Sequence, residues 1–183
     1  MKFCSDCAHD LELKIPKDDT FLRYCCTNCN RVFYQNPAVV VGCMPIYEDK
    51  VLLCKRAIEP KKGLWTLPAG FMENGECVEE GAIRETFEEA YANVEIESLF
   101  TVFSVTNVNY VYMLFKAKLL DLNFKSGVES LEVKLFSKDE IPWDNLAFAS
   151  IKHCLNLYFN EEIKQDNKTR LGSFKLDKDK TKN

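Results

Sequence analysis

The sequence predicts an α/β sandwich built on a mixed sheet, with a small cysteine-stapled module in front of it. Three observations lead there. Two Cys-x2-Cys pairs fall within residues 1–35. β-Branched runs and helix-patterned stretches then mix without the regular βαβ alternation of a doubly wound parallel sheet. One helix-patterned stretch carries acidic residues at i, i+3 and i+4, which sets them on one face.

The elements follow in chain order. Residues 1–35 are rich in cysteine and turn residues, and Asn36-Pro37 breaks the chain. Residues 38–46 (AVVVGCMPI) form a β-branched run that predicts a buried strand. Glu48-Asp49-Lys50 is a polar turn and 51–56 (VLLCKR) a second strand, so 38–56 predicts a hairpin. Residues 57–63 (AIEPKKG) form a basic loop, and 64–71 (LWTLPAGF) is extended. Asn74-Gly75 precedes a helix over 76–90, with Glu76, Glu79 and Glu80 in its first turns, where negative charge suits the helix dipole. Strands are predicted over 94–105, 111–119 and 131–136, and a helix over 147–159. Residues 161–183 are polar and charged with little periodicity and predict a disordered tail. The expected division is therefore 1–35, 36–160 and the tail.

Composition bounds the function. Apolar residues make up 46% and aromatic residues 12%, enough for a core, and the net charge is −4. No global basic field invites duplex DNA or an anionic membrane. No run of eighteen apolar residues predicts a transmembrane helix, and the first residues lack the apolar stretch of a signal peptide. A cytoplasmic location is expected. There the nine cysteines, an odd count, argue against a disulfide framework and leave metal ligation or burial.

Cys4 and Cys7 are followed, after eighteen intervening residues, by Cys26 and Cys29, which is zinc-ribbon spacing. A module of roughly 35 residues buries too little apolar surface to fold alone and usually needs a metal. Four thiolates close the coordination shell, so this Zn²⁺ is expected to be structural. Cys25 is an alternative ligand, whereas His9 is expected at the surface. Cys43, Cys54, Cys77 and Cys154 lie in apolar or helical segments and are expected in the core.

Glu85, Glu88 and Glu89 share one helical face at about 100° per residue. Three like charges there destabilise a helix unless a cation sits among them, and Mg²⁺ or Mn²⁺ is the hard ion that carboxylate oxygens prefer. Arg84 points about 100° away from Glu85 and is expected to hold a neighbouring carboxylate or loop. Val78, Ala82, Ile83, Phe87 and Ala90 are the packing candidates of this helix. Gly70 predicts a sharp turn that brings backbone carbonyls, such as that of Ala69, towards the same cation. Arg56, Lys55, Lys61 and Lys62 are candidate phosphate ligands. Phe103, Tyr110 and Tyr112 are candidate stacking partners for a planar ring, and Trp65 is expected to seat the glycine loop.

The stretch from Gly70 to Glu89 resembles the signature of the Nudix hydrolase family. Gly70, Glu76, Arg84, Glu85, Glu88 and Glu89 fall at six fixed positions of a twenty-residue frame. Thr86 departs from the usual apolar residue, and Tyr91-Ala92 stands where glycine and an apolar residue are usual. The resemblance implies a Nudix-type α/β/α sandwich. It also implies that Glu85, Glu88 and Glu89 bind metal, that Arg84 orients a glutamate, and that Glu76 supports the loop or a metal-bound water. The family often draws another acidic residue from a later loop, and Glu129 and Glu132 are the local candidates, Glu88 being another for the base. A ribbon followed by this first strand is similar to the NADH pyrophosphatase branch and to plant-type enzymes that cleave FAD and ADP-ribose. The proline-rich motif of the NADH branch is absent; residues 100–115 stand in its place. The implied activity is hydrolysis of a small-molecule nucleotide, with FAD or ADP-ribose favoured and NADH a further candidate. Alternatives are an RNA cap, a nucleoside triphosphate, or a non-catalytic ribbon that binds RNA or protein. Homodimers are frequent among similar enzymes.

Overall fold

The computed structural model describes residues 1–160 and 168–175. They form two compact units, Met1–Pro37 and a second from Ala38 onward. Among the described residues, no helix is long and apolar enough to cross a membrane.

The first unit is a three-stranded antiparallel sheet in the order β1 (Leu11–Lys14), β2 (Arg23–Cys26), β3 (Val32–Phe33). Two turns of the same design flank it. The Cys4 amide donates to the His9 carbonyl at 2.8 Å, and the Cys26 amide donates to the Arg31 carbonyl at 2.9 Å. In each turn the residue four places after the first cysteine is left-handed, Ala8 at φ 59° and Asn30 at φ 58°.

The second unit is a mixed sheet. Its strands are β4 (Ala38–Tyr47), β5 (Lys50–Arg56), β6 (Trp65–Thr66), β7 (Ala69–Phe71), β8 (Val94–Val105), β9 (Tyr110–Leu119), β10 (Ser130–Phe136) and β11 (Arg170–Phe174). The order is β10-β5-β4-β9-β8-β11, with β6 on β5 and β7 on β4. β4–β9 and β8–β11 are parallel; the other pairings are antiparallel. The expected hairpin at 38–56 survives only at its tip, where Ile46 and Tyr47 pair with Val51 and Lys50. The rest of β4 is bound by β7 and β9.

Two helices cover the two faces: α1 (Val78–Ala90) and α2 (Ala149–Tyr158). The side-chain alternation of a strand explains the division. Val41 and Cys43 of β4, Leu52 and Cys54 of β5, and Phe115 and Ala117 of β9 pack with Ala82 and Ala90 of α1. Their alternates Met44, Val51, Leu53 and Leu114 pack with Ile151, Cys154 and Leu155 of α2. Fully burying one such Leu or Met stabilises the fold by about 1.5–3 kcal/mol, so the pattern fixes which face each helix takes.

Several expectations are corrected. Residues 170–174 form a strand inside the stretch expected to be a disordered tail, paired with Thr101–Val105 of β8. The remainder of that expectation, 161–167 and 176–183, lies outside the described residues. Ile83 and Phe87, expected to pack, are exposed; Ala82 and Ala90 are buried as expected, joined on that face by Gly81, Thr86 and Glu89. Cys43, Cys54 and Cys154 are buried as expected, but Cys77 is exposed at the start of α1.

Candidate active site

The site begins where β7 hands the chain to α1. A Cβ on Gly70 would stand 2.2 Å from Oε2 of Glu85. A side chain at this position would push the Glu85 carboxylate aside, so glycine here keeps Glu85 in place without an unusual backbone angle. Glu80 accepts a hydrogen bond from the Cys77 amide at 2.9 Å, which satisfies a donor at the helix start.

Arg84 ties this region together. Its Nε and Nη2 donate to the two oxygens of Glu76 at 3.0 and 2.7 Å. Nη1 donates to Glu85 at 2.7 Å and to Glu88 at 3.2 Å, and Nη2 also reaches the Phe71 carbonyl at 3.2 Å. Arg84 thus reaches a neighbouring carboxylate and the loop carbonyl of Phe71. The contact with Glu85 was not foreseen, because the long side chain bends back across the angle that separates the two Cα–Cβ bonds. Glu76 in turn accepts from the Glu73 amide at 2.6 Å, and Arg84 with this amide holds its carboxyl down at about 2.

Glu89 is buried, only 6% exposed. Burial pushes its carboxyl up to about 8; the neighbouring Glu85 and Glu129 add to the rise, and Arg56 and the Ala69 backbone oppose it. Burial also raises Glu85, against the pull of Arg84, with Glu88 and Glu129 adding to the rise. Glu85 and Glu89, held up in this way, carry negative charge of the kind a hard divalent cation relieves, although among the described residues the sulfurs of the ribbon are the group already drawn together to hold a metal. Ala69, Glu85, Glu88, Glu89 and Glu129 all line one cleft.

Glu129 is delivered by the segment after β9. The Lys125 and Gly127 amides donate to the carbonyls of Ala90 and Glu89, both at 2.9 Å, and so cap the end of α1. A Cβ on Gly127 would lie 1.8 Å from the Glu88 carbonyl oxygen, so only glycine lets this segment dock. Tyr91 takes the left-handed geometry (φ 48°, ψ 28°) that glycine usually supplies at a helix end. The other departure, Thr86, is fully buried and bonds the Ala82 carbonyl at 2.7 Å. Glu132 does not join the cluster. It sits on β10 opposite Lys55, exposed, with its carboxylate 3.8 Å from the Lys55 ammonium.

The cleft measures about 870 Å³. Arg56 lines it, bonded by Nε to the Pro60 carbonyl at 2.9 Å, with its guanidinium 5.2 Å from the Phe148 ring. Tyr110 and Tyr112 line it too, as do Phe71, Phe148 and Phe174, which sequence reasoning missed. Nothing in their local pattern separates them from core aromatics. Phe103 is corrected: it is buried under Phe174 and against His153 of α2, with ring centroids 6.5 and 5.0 Å away. Lys55, Lys61 and Lys62 do not line the cleft. Trp65 packs edge-on against Phe136 in the core cluster on which Ala69, the neighbour of Gly70, also packs.

The ribbon carries a second centre. The sulfurs of Cys4, Cys7, Cys26 and Cys29 all lie within 4.8 Å of one another. Bonds of about 2.3 Å in a tetrahedron put sulfurs ~3.8 Å apart; Cys4 and Cys29 are 3.7 Å apart here, and Cys7 and Cys26 3.4 Å. Amides of Asp6, Asn28 and Cys29 point at Cys4 and Cys26 sulfurs at 3.4 Å, which suits thiolates. Cys25 stays outside the cluster, and His9 bonds the Cys7 carbonyl at 2.9 Å through Nδ1.

Comparisons with known proteins agree on the family. A profile described as NUDIX domain matches residues 36–154, and one described as Nudix N-terminal matches residues 2–35. The chain is similar to the ADP-ribose pyrophosphatase of Methanocaldococcus jannaschii, 34% identical over 119 residues that cover 63% of this chain and 69% of that protein. It is also similar to the NAD-capped RNA hydrolase NudC of Edwardsiella ictaluri, 31% identical over 96 residues, 51% of this chain but only 35% of that protein. The crystal structure of a NUDIX hydrolase from Nitrosomonas europaea superposes with a TM-score of 0.91 at 53% identity, covering 96% of this chain and 100% of that one.

Proposed function

Because the chain belongs to the Nudix hydrolase family, we propose that it hydrolyses a nucleoside diphosphate linked to another group, with ADP-ribose and FAD as first candidates and NADH behind them. One observation carries this reading: the buried Glu89 shares a cleft with Glu85 and Glu129, with too little positive charge among them. The name of the archaeal relative supports ADP-ribose.

Glu85, Glu88 and Glu89 would hold Mg²⁺ or Mn²⁺, beside Ala69. Such an ion, when bound, neutralises diphosphate charge and acidifies a water. Arg84 keeps Glu76 and Glu85 in place and thereby locks the Gly70 turn to α1. Glu129 is the base that takes the proton from the attacking water, in place of the excluded Glu132, with Glu88 as the alternative. Arg56 binds a phosphate oxygen, and Tyr110 with Phe71 offers ring surface to a base. Water adds to one phosphorus, the bridging P–O bond breaks, and two monophosphates leave: AMP with ribose 5-phosphate, or AMP with FMN.

A second reading, removal of a nucleotide cap from RNA, is favoured by the NudC relatives, of which the chain spans about a third. We also place the protein in the cytoplasm, with Zn²⁺ on its four ribbon cysteines, and a homodimer is the assembly to test by light scattering. The deciding experiment incubates purified protein with ADP-ribose, FAD, NADH, NAD-capped RNA and nucleoside triphosphates, with Mg²⁺ or Mn²⁺, and resolves the products. Turnover of ADP-ribose or FAD upholds the reading. Turnover of capped RNA alone moves it to the second reading, and turnover of none overturns both.

A further inference from the structure

We propose that the cleft holds two separate ring-binding surfaces, one on either side of the carboxylates, and that its substrate class is a dinucleotide bearing a planar ring at each end of the diphosphate. The inference rests on the pyrophosphohydrolase reading and narrows its substrate.

The first surface adjoins the start of the acidic face. Phe71 and Tyr110 meet edge to face at 5.3 Å, and Tyr112 stands 6.5 Å from Tyr110. The Phe71 carbonyl accepts from Arg84, so this surface is fixed at the Arg84 end of the glutamates.

The second surface is on α1 itself. Phe87 and Tyr91 are one turn apart, 5.3 Å between centroids, and both line the cleft that contains Glu85 and Glu88. The Lys125 ammonium lies 4.6 Å from the Tyr91 ring centroid and adds positive charge at this end. Helical spacing puts Arg84, Glu88 and Tyr91 on one ridge, about 10 Å of helix axis from first to last. Along the axis Glu85, Glu88 and Glu89 therefore lie between Arg84, at the Phe71 end, and Tyr91 at the other, with Phe87 level with them.

The second surface is not core that fell short of burial. The sheet-facing side of α1 is complete without it, made of Ala82, Thr86, Glu89 and Ala90. Phe87 stays 46% exposed beside two glutamates. Tyr91 keeps a large ring in a left-handed conformation where glycine would be free of strain. ADP-ribose, with a ring at one end only, would leave this surface unused, whereas FAD or NADH would cover both.

The test compares kcat/KM for FAD and for ADP-ribose in the wild type, Phe87→Ala and Tyr91→Gly, with Mg²⁺ or Mn²⁺. Tyr91→Gly removes the ring yet suits the backbone, so it guards against a folding artefact, and thermal melting checks both variants. Loss of one stacking partner should lower the FAD to ADP-ribose ratio about tenfold, chiefly through KM. A ratio unmoved in both variants overturns the inference and leaves the hydrolase reading standing, as does a wild type that cleaves ADP-ribose but neither FAD nor NADH. A wild type that cleaves no diphosphate overturns the hydrolase reading and the inference with it.

Discussion

The guanidinium of Arg84 grips both oxygens of Glu76, eight residues earlier, at 3.0 and 2.7 Å. That fork joins the loop before α1 to the helix that bears the acidic cluster. Arg84→Lys keeps the charge but loses the two-point geometry. We expect kcat/KM to fall about 10–100-fold, the usual cost of losing a group that positions metal ligands, with circular dichroism unchanged. Wild-type kinetics in Arg84→Lys would remove Arg84 from the positioning role.

The same pair sets an acid limit. The folded pKa of Glu76 is depressed from the ordinary 4.5 to about 2. Its contribution to stability is thus complete above pH 4.5 and drains away as pH falls through about 2. The stability difference between wild type and Glu76→Gln should shrink steadily over that window in denaturant titrations. A difference independent of pH would rule out the ion pair as its source.

Glu89 works in the opposite sense. With its folded pKa raised to about 8, the metal-free folded protein keeps a proton that the unfolded chain gives up above about pH 4.5. Stability from this group therefore falls as pH climbs from about 4.5 to 8. Glu89→Gln should raise the melting temperature of the metal-free protein at pH 8 and abolish the further rise that Mn²⁺ gives the wild type. An equal Mn²⁺ response in both proteins would place the ion elsewhere.

The ribbon should answer to a different metal. Cys29→Ser, or treatment with a strong chelator, should release one zinc per chain by elemental analysis and unfold the first unit, because metal binding and folding are linked there. Wild-type protein that melts normally after purification without zinc would refute a structural ion on Cys4, Cys7, Cys26 and Cys29.

At the other end of the chain, Gly172 lets β11 lie against the Phe103 ring, 2.2 Å from where a Cβ would sit, and Phe174 then lines the cleft. Phe174→Ala should raise KM several-fold, roughly 1 kcal/mol, with kcat little changed. No change in KM would show that substrate does not reach β11.

Much of this was legible in the sequence, for reasons that can be named. The glutamates of α1 and the cysteine pairs announce themselves because each repeats one residue type at a fixed spacing. The strands from Ala38 to Phe136 follow from β-branched runs that must be buried. Tertiary placement was not legible. Glu129 and Glu132 look alike in sequence, yet the docking of Gly127 on α1 sends one into the cleft, and the strand pleat sends the other to Lys55. Phe103, expected in the site, is covered by a strand from the tail that was expected to be disordered, and Phe174 of that strand lines the cleft instead. Phe87 sits at a spacing that suits packing, and only the closed sheet-facing side of α1 shows that it is surplus.

The parallel pairing of β4 with β9 also bears on synthesis at the ribosome. Nine residues of β4, Ala38 to Ile46, find their partners at Tyr110 to Lys118, some seventy positions later. A nascent chain can pair β4 with β5 and β7 first, but the β9 edge of AVVVGCMPI stays open until that later stretch emerges. Its ribbon, whose two cysteine turns lie within the first thirty-odd residues, can close long before. The interval between the two is when this protein is most open to aggregation and most in need of a chaperone.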